Sequence, residues 1–276
     1  MKNPSLPIGV FDSGVGGLTV VKEIIRQIPN ESIVYFGDTA HVPYGSKSED
    51  VVKKFSLQIL NFLIGKKVKM IVVACNTASS YALESLRRKT SLPVLGVIEP
   101  AAKKAVYITK KGRIGVIGTE GTIRSKAYEI AIRKLNKNIE IFSVACPLFV
   151  PLVEEGWVDG SPNEKIVEDI AKKYLFPLKK NRIDTLILGC THYPLIKNVI
   201  KRVIGDNVQL VDSANSCAED VKKLLNSLGL SSEKSNRPLY KFYVSDAPEK
   251  FKTMGSMFLE KDISKVEKID IERCDV

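Results

Sequence analysis

The chain has 276 residues, of which 44% are hydrophobic and 26% charged, with a formal net charge of +11. This composition excludes a disordered tail, a fibrous repeat and a chain too short to bury a core, and the length favours two domains because single cores stop growing efficiently in this range. No apolar run approaches the ~18 residues of a membrane span and Met1–Pro7 carries no hydrophobic stretch of a secretion signal, so a cytoplasmic protein without membrane contact is expected.

Short β-rich runs recur along the chain, each followed by a turn and an amphipathic stretch. They are Ile8–Phe11, Ile33–Phe36, Met70–Ala74, Val94–Val97, Ile114–Ile117, Ile139–Val144 and Thr185–Leu188. Their continuous apolar character predicts buried parallel strands. Between the second and third, Val52, Phe55, Ile59, Phe62 and Leu63 recur at three- and four-residue steps, as one face of a helix requires. Alternation of this kind predicts an α/β architecture. The stretch Gly229–Pro238 reads as loop, and Tyr240–Val244 reads as a closing strand.

The chain also echoes itself. Ile8–Gly14 is matched by Ile114–Glu120, and Ile71–Thr77 by Leu186–His192, in the same order. An old duplication with drifted loops accounts for this. The fold expected is two similar Rossmann-like α/β domains with mostly parallel sheets, related by pseudo-twofold symmetry, with the active site in the cleft between them. The first domain would hold residues 1–97 and 211–276, the second 98–210.

Five cysteines, widely spaced and without a CxxC pair, predict free thiols and neither a disulfide framework nor a zinc site; two histidines weigh against any other metal centre. Between Ala101 and Asn138 ten Lys/Arg face two acids. No nucleic-acid-binding module accompanies them, so a solvated basic surface is favoured over nucleic-acid binding.

Two cysteines stand apart. Cys75 follows a strand and precedes the helical pattern opened by Asn76–Ser79, and Cys190 is placed alike before Thr191, His192, Tyr193 and Pro194. A thiol at such a corner faces the amides and positive dipole end of a helix, which is expected to lower its pKa and favour thiolate. Ligands of α/β sheets bind at strand carboxyl ends. Cys146, Cys217 and Cys274 lack that context and read as structural. Two monoprotic acids in one cleft suit the inversion of a carbon stereocentre, in which one group removes a proton from one face and another delivers one to the opposite face. The turn Asp12–Thr19 lacks the last glycine of a dinucleotide fingerprint, and no Gly-Lys-Ser/Thr follows any turn. It reads as a tight turn whose amides approach a small anion, with Asp12 and Ser13 directed to the ligand.

Phe11–Gly17, Gly37–Gly45, Ala74–Ala78 and Gly189–Pro194, with Leu95–Pro100 and Val211–Ser213, resemble the glutamate racemases in order and spacing over nearly the whole chain. The resemblance implies cofactor-independent interconversion of L- and D-glutamate, supplying D-glutamate for peptidoglycan, by an enzyme that is commonly a homodimer and holds no metal. It implies Cys75 as the group acting on D-glutamate and Cys190 as the group acting on L-glutamate. Asp12, Ser13, Tyr44, Gly45, Asn76, Thr77, Thr191 and His192 are the implied substrate contacts. Asp12 would assist Cys75 and His192 would assist Cys190, with Asp38 and Glu154 as further acids near the cleft; His41 is left unassigned. An aspartate-type racemase and a two-lobed amino-acid sensor remain the competing readings, and His192, where aspartate-type relatives usually carry an acid, favours glutamate.

Overall fold

The structure is a computed structural model and describes residues 3–233 and 237–273. Strands β1 (Ile8–Asp12), β2 (Ile33–Gly37), β3 (Met70–Val73) and β4 (Val94–Gly96) precede β5 (Arg113–Gly118), β6 (Glu140–Ala145), β7 (Thr185–Gly189) and β8 (Gln209–Asp212), with β9 (Tyr240–Val244) and β10 (Val266–Lys268) last. The helices are α1 (Leu18–Gln27), α2 (Glu49–Gly65), α3 (Asn76–Tyr81), α4 (Leu83–Lys89), α5 (Ile98–Ile108), α6 (Glu120–Arg124), α7 (Ala127–Leu135), α8 (Phe149–Glu154), α9 (Glu164–Lys180), α10 (Lys197–Ile204), α11 (Ser213–Leu228) and α12 (Pro248–Leu259).

Two sheets result, in the orders β10-β9-β2-β1-β3-β4 and β6-β5-β7-β8. Every strand pair in both is parallel. Because β1, β2, β3 and β7 are covered on both faces, they are buried along their whole length, which is why they read as unbroken apolar runs. The expected α/β class and the duplication are both visible in the topology. Numbering the strands within each half gives the same order, second-first-third-fourth, twice over.

One boundary differs from expectation. Val211 was assigned to the first domain, but β8 pairs with β7 through Leu186↔Leu210 and Ile187↔Val211, so the second sheet closes with Asp212. Four parallel strands, not three, complete the second half. Helix α11 then packs against both α1 and α5, bridging the halves before the chain returns to β9. The short edge strand β10 gave no sequence signal because Val-Glu-Lys carries no apolar run. The loop expected at Gly229–Pro238 includes residues 234–236, and Cys274 with the end of the first domain's expected span follows residue 273; these lie outside the described residues.

At the amino ends of the strands, Lys69 is buried and its ammonium reaches Glu31 Oε2 at 2.5 Å, the Pro4 carbonyl at 2.6 Å and the Leu230 carbonyl at 2.8 Å. Burying a cation costs free energy unless it is paired and its donors are filled. Here all three donors are occupied, which fastens the returning segment after α11 to the first sheet.

At the carboxyl ends, the Gly-rich turn carries the halves together. A Cβ on Gly16 would overlap Thr191 Oγ1 and lie 2.5 Å from His192 Cε1, while the Thr19 hydroxyl donates to the Thr191 carbonyl at 3.0 Å. Position 16 is glycine because backbone from the first half must lie there against side chains of the second and a β-carbon would hold them apart, whereas Gly14 and Gly17 press on Val42, Asp12, Tyr35 and Ala74 of the first half itself. Gly65, at the end of α2, has nothing within 4 Å of such a Cβ. Gly16→Ala is therefore expected to destabilise the protein by about 1–3 kcal/mol through overpacking. Gly65→Ala should be neutral or stabilising by up to about 1 kcal/mol. Urea denaturation of both variants checks the pair; equal stabilities would show that the junction is not close-packed at Gly16.

Candidate active site

In each half the strand order leaves a crevice beyond the ends of its first and third strands, where neighbouring connections run to opposite sides of the sheet. The two crevices face one another. A cavity of about 340 Å³, at the small end of the ~300–1,000 Å³ usual for ligand pockets, lies between the ends of β1 and β3 and those of β5 and β7. Cys75 and Cys190 both line it, with Ser13, Tyr44 and Gly45. Asn76, Thr77, Thr191, His192 and Glu154 complete the set of expected residues on its wall.

Two expected site residues stand behind that wall. Asp12 is buried under the Gly-rich turn; its Oδ2 accepts from the Gly14 amide at 2.9 Å and its Oδ1 has no hydrogen-bond partner among the described residues. The Gly14 amide thus serves Asp12 itself, and of the turn Ser13 and Gly14 reach the cavity while Asp12 does not. Asp38 is fully buried and accepts from Tyr44 Oη at 2.6 Å and Ser245 Oγ at 2.8 Å, with His41 Nδ1 at 2.8 Å. Its place is therefore that of an anchor for the Tyr44 ring, and His41, stacked on Phe55 at 3.9 Å, belongs to the same support.

The two thiols sit in unlike surroundings. Cys75 is the N-cap of α3, and its sulfur accepts from the Ala78 amide at 3.4 Å and lies 3.7 Å from Ser13 Oγ. Those contacts favour thiolate, as the sequence suggested. Burial outweighs them, with the Asp12 carboxylate acting in the same sense, and the thiol is pushed up to about 12. Cys75 therefore rests protonated at neutral pH, contrary to the expectation of a lowered pKa. Asp12 is itself raised by burial, an effect opposed by the positive charge of His192.

Cys190 instead faces a basic partner. Its sulfur lies 3.8 Å from His192 Nδ1, and His192 Nε2 lies 3.0 Å from Glu154 Oε1. Burial works against charge on the imidazole, but its hydrogen bonds to Cys190 and Glu154 overcome that penalty and raise it to about 10. Burial likewise opposes ionisation of Glu154, and the hydrogen bond and charge of His192 reverse this to hold its carboxyl below the ordinary range. A carboxylate, an imidazolium and a sulfur thus stand in line on one side of the cavity. The other side offers a neutral thiol backed by an acid.

Across the cavity the Thr77 hydroxyl meets Thr119 Oγ1 at 2.9 Å. Thr119 lines the site although the sequence reading passed over it; the signal was its match to Ser13 in the internal echo. Glu120, paired with Gly14 in the same echo, is a further wall residue, as are Val150 and Pro151, for which the sequence gave no cue. Among the described residues no group of three or more His, Cys, Asp or Glu is arranged to hold a metal ion. No helix among them is long and apolar enough to cross a membrane.

Known proteins resemble the chain over nearly its whole length. The sequence profile of the family described as Asp/Glu/hydantoin racemase matches residues 8–221. The glutamate racemase of Geobacter metallireducens is 50% identical over 269 residues, covering 98% of each chain, and that of Neisseria meningitidis is 46% identical over 96% of this chain and 97% of its own. Among solved structures, a Bacillus anthracis glutamate racemase isoform superposes with a TM-score of 0.91 at 41% identity, over 97% of this chain and 98% of that one. The Francisella tularensis glutamate racemase, solved in complex with D-glutamate, gives 0.90 at 41% identity over 98% and 99%. With half its residues shared over nearly the full length of a relative and its fold matched throughout, the chain belongs to the Asp/Glu/hydantoin racemase family.

Proposed function

We propose that this protein is a glutamate racemase that interconverts L- and D-glutamate without a cofactor, by proton transfer between two cysteines on opposite sides of one cleft. The observation that carries the reading is that Cys75 and Cys190 line the same small cavity with opposite electrostatic settings. The names of the relatives favour glutamate as the substrate. D-glutamate made in this way would supply peptidoglycan synthesis in a cytoplasmic setting, and the enzyme would work as a homodimer.

In the L-to-D direction the Cys190 sulfur, as thiolate, takes the α-proton; the C–H electron pair stays on the α-carbon and spreads into the adjacent carboxylate. The Cys75 thiol then delivers its proton to the opposite face, leaving Cys75 as thiolate. The D-to-L direction runs through the same groups in reverse. His192, held by Glu154, sits where it can stabilise thiolate on Cys190 and pass a proton to and from it. Asp12, at the back of Cys75, favours the protonated thiol that this half of the cycle requires. Stabilisation of the carbanion falls to fixed dipoles around the substrate, for which Ser13, Asn76, Thr77 and Thr191 supply hydroxyl and amide donors. Closure of the halves over the ligand would exclude water and strengthen each of these contacts.

Incubation of the purified protein with L-glutamate in heavy water, without cofactor, should give D-glutamate labelled at the α-carbon. Cys75→Ser and Cys190→Ser should each lower kcat by at least about a thousandfold, the weaker acid being a poor proton relay, while Cys217→Ala, buried in α11, should retain activity. Isotope uptake with no change of optical rotation would reject racemisation, and near-native activity in both serine variants would reject the two-thiol reading. A panel including aspartate separates glutamate from aspartate chemistry.

The ion pair gives a pH signature. His192 is raised to about 10 from an ordinary ~6.5, so the folded state keeps a proton that the unfolded state has lost. Its stabilising contribution is whole below about pH 6.5 and is lost progressively as pH rises toward about 10. Between pH 6.5 and 8.5, before ordinary thiols titrate, the wild-type urea midpoint should fall more steeply than that of Glu154→Gln. Equal slopes would show that Glu154 does not hold the charge on His192.

A further inference from the structure

Tyr128, on α7 of the second half, lies far from both cysteines in sequence yet touches the segment of each. Its hydroxyl donates to Asn76 Oδ1 at 2.6 Å, and Asn76 is the residue after Cys75 and the first of α3. Its ring lies against the backbone before Cys190, since a Cβ on Gly189 would stand 2.9 Å from Tyr128 Cε2. Both Tyr128 and Asn76 are buried, at 2% and 3% exposure. Burial also pushes the Tyr128 phenol upward, so the hydroxyl keeps its proton at any working pH.

The chemistry of a primary amide turns this contact into an orientation. Asn76 can present either its oxygen or its NH2 in a given direction, and the two choices differ only by rotation about the last side-chain bond. A phenol that donates must meet the oxygen, which sends the NH2 the other way. That Nδ2 is buried and has no partner among the described residues, although Asn76 lines the cavity. An amide N–H buried without an acceptor costs free energy that a ligand oxygen could recover.

We propose that Tyr128 is a positioning residue for substrate binding: by donating across the junction to Asn76 Oδ1 it fixes the amide so that its NH2 is offered to a carboxylate oxygen of the amino acid. The proposal rests on the two-thiol reading of the cleft and adds a residue to it. The hydroxyl touches no reacting atom, so its loss acts through Asn76 and falls on binding. Because one contact spans both halves, the amide is set only when α7 and α3 are docked, which ties competence of the carboxylate site to the closed junction.

Tyr128→Phe removes the hydroxyl and keeps the ring against Gly189. It is expected to raise KM for both glutamate enantiomers about tenfold and to change kcat by less than about threefold, the pattern of lost uniform binding. KM does not depend on the fraction of enzyme folded, so a purely structural role would lower the melting temperature and yield while leaving KM at the wild-type value. Asn76→Ala should raise KM similarly, and Tyr128→Phe in that background should add nothing, since both remove the same interaction. Wild-type KM in Tyr128→Phe, or losses that multiply in the double variant, would overturn the positioning role. If the cysteine variants are dead while Tyr128→Phe behaves as wild type, only this proposal fails; if racemisation survives in both cysteine variants, the reading beneath it fails as well.

Discussion

A parallel sheet whose strands run second-first-third-fourth has to open a crevice beyond the ends of its first and third strands, and everything in this molecule that bears on chemistry hangs from that constraint. Duplicating the half duplicates the crevice. Setting the two copies end to end brings Ser13 and Cys75 from one and Thr119 and Cys190 from the other to a single cavity. Gly16 completes the arrangement by presenting no side chain that would keep Thr191 and His192 away from the first half.

Duplication supplies two thiols, and the proposed inversion has one take a proton while the other gives one, the roles exchanging with the direction. The surroundings make them unequal. Burial, reinforced by the negative charge of Asp12 behind it, keeps the Cys75 sulfur protonated. The corresponding position in the second half is Gly118, so no acid stands behind Cys190 from β5. Instead His192, two residues on, places a cation 3.8 Å from the sulfur, and Glu154 from α8 holds the cation in place. The symmetry lies in the backbone and the asymmetry in three side chains, Asp12, His192 and Glu154, which set the two sulfurs in unlike surroundings.

The strands, the duplication and the cysteine corners were legible in the sequence because each leaves a local mark: an unbroken apolar run, a repeated string, a thiol between strand and helix. What was not legible depended on distance or on depth. The lowered pKa expected of Cys75 followed from its helix N-terminus, a local feature, whereas the raised value follows from burial and from Asp12, which sit 63 residues away in sequence and adjacent in space. Asp12 and Asp38 were placed at the cleft, but their side chains turn inward to the Gly14 amide and to Tyr44. Val211 was given to the wrong sheet because a strand of four residues says nothing about its neighbour. Thr119 carries its mark only through the repeat, where it stands opposite Ser13.

The central claim concerns where two sulfur atoms stand relative to one carbon. A crystal structure of the protein with D-glutamate bound measures it. The account predicts the Cys75 and Cys190 sulfurs on opposite faces of the α-carbon, each about 3–3.5 Å from it as a near-attack geometry requires. Sulfurs on the same face, or either one held away from that carbon with the cleft closed, would contradict it.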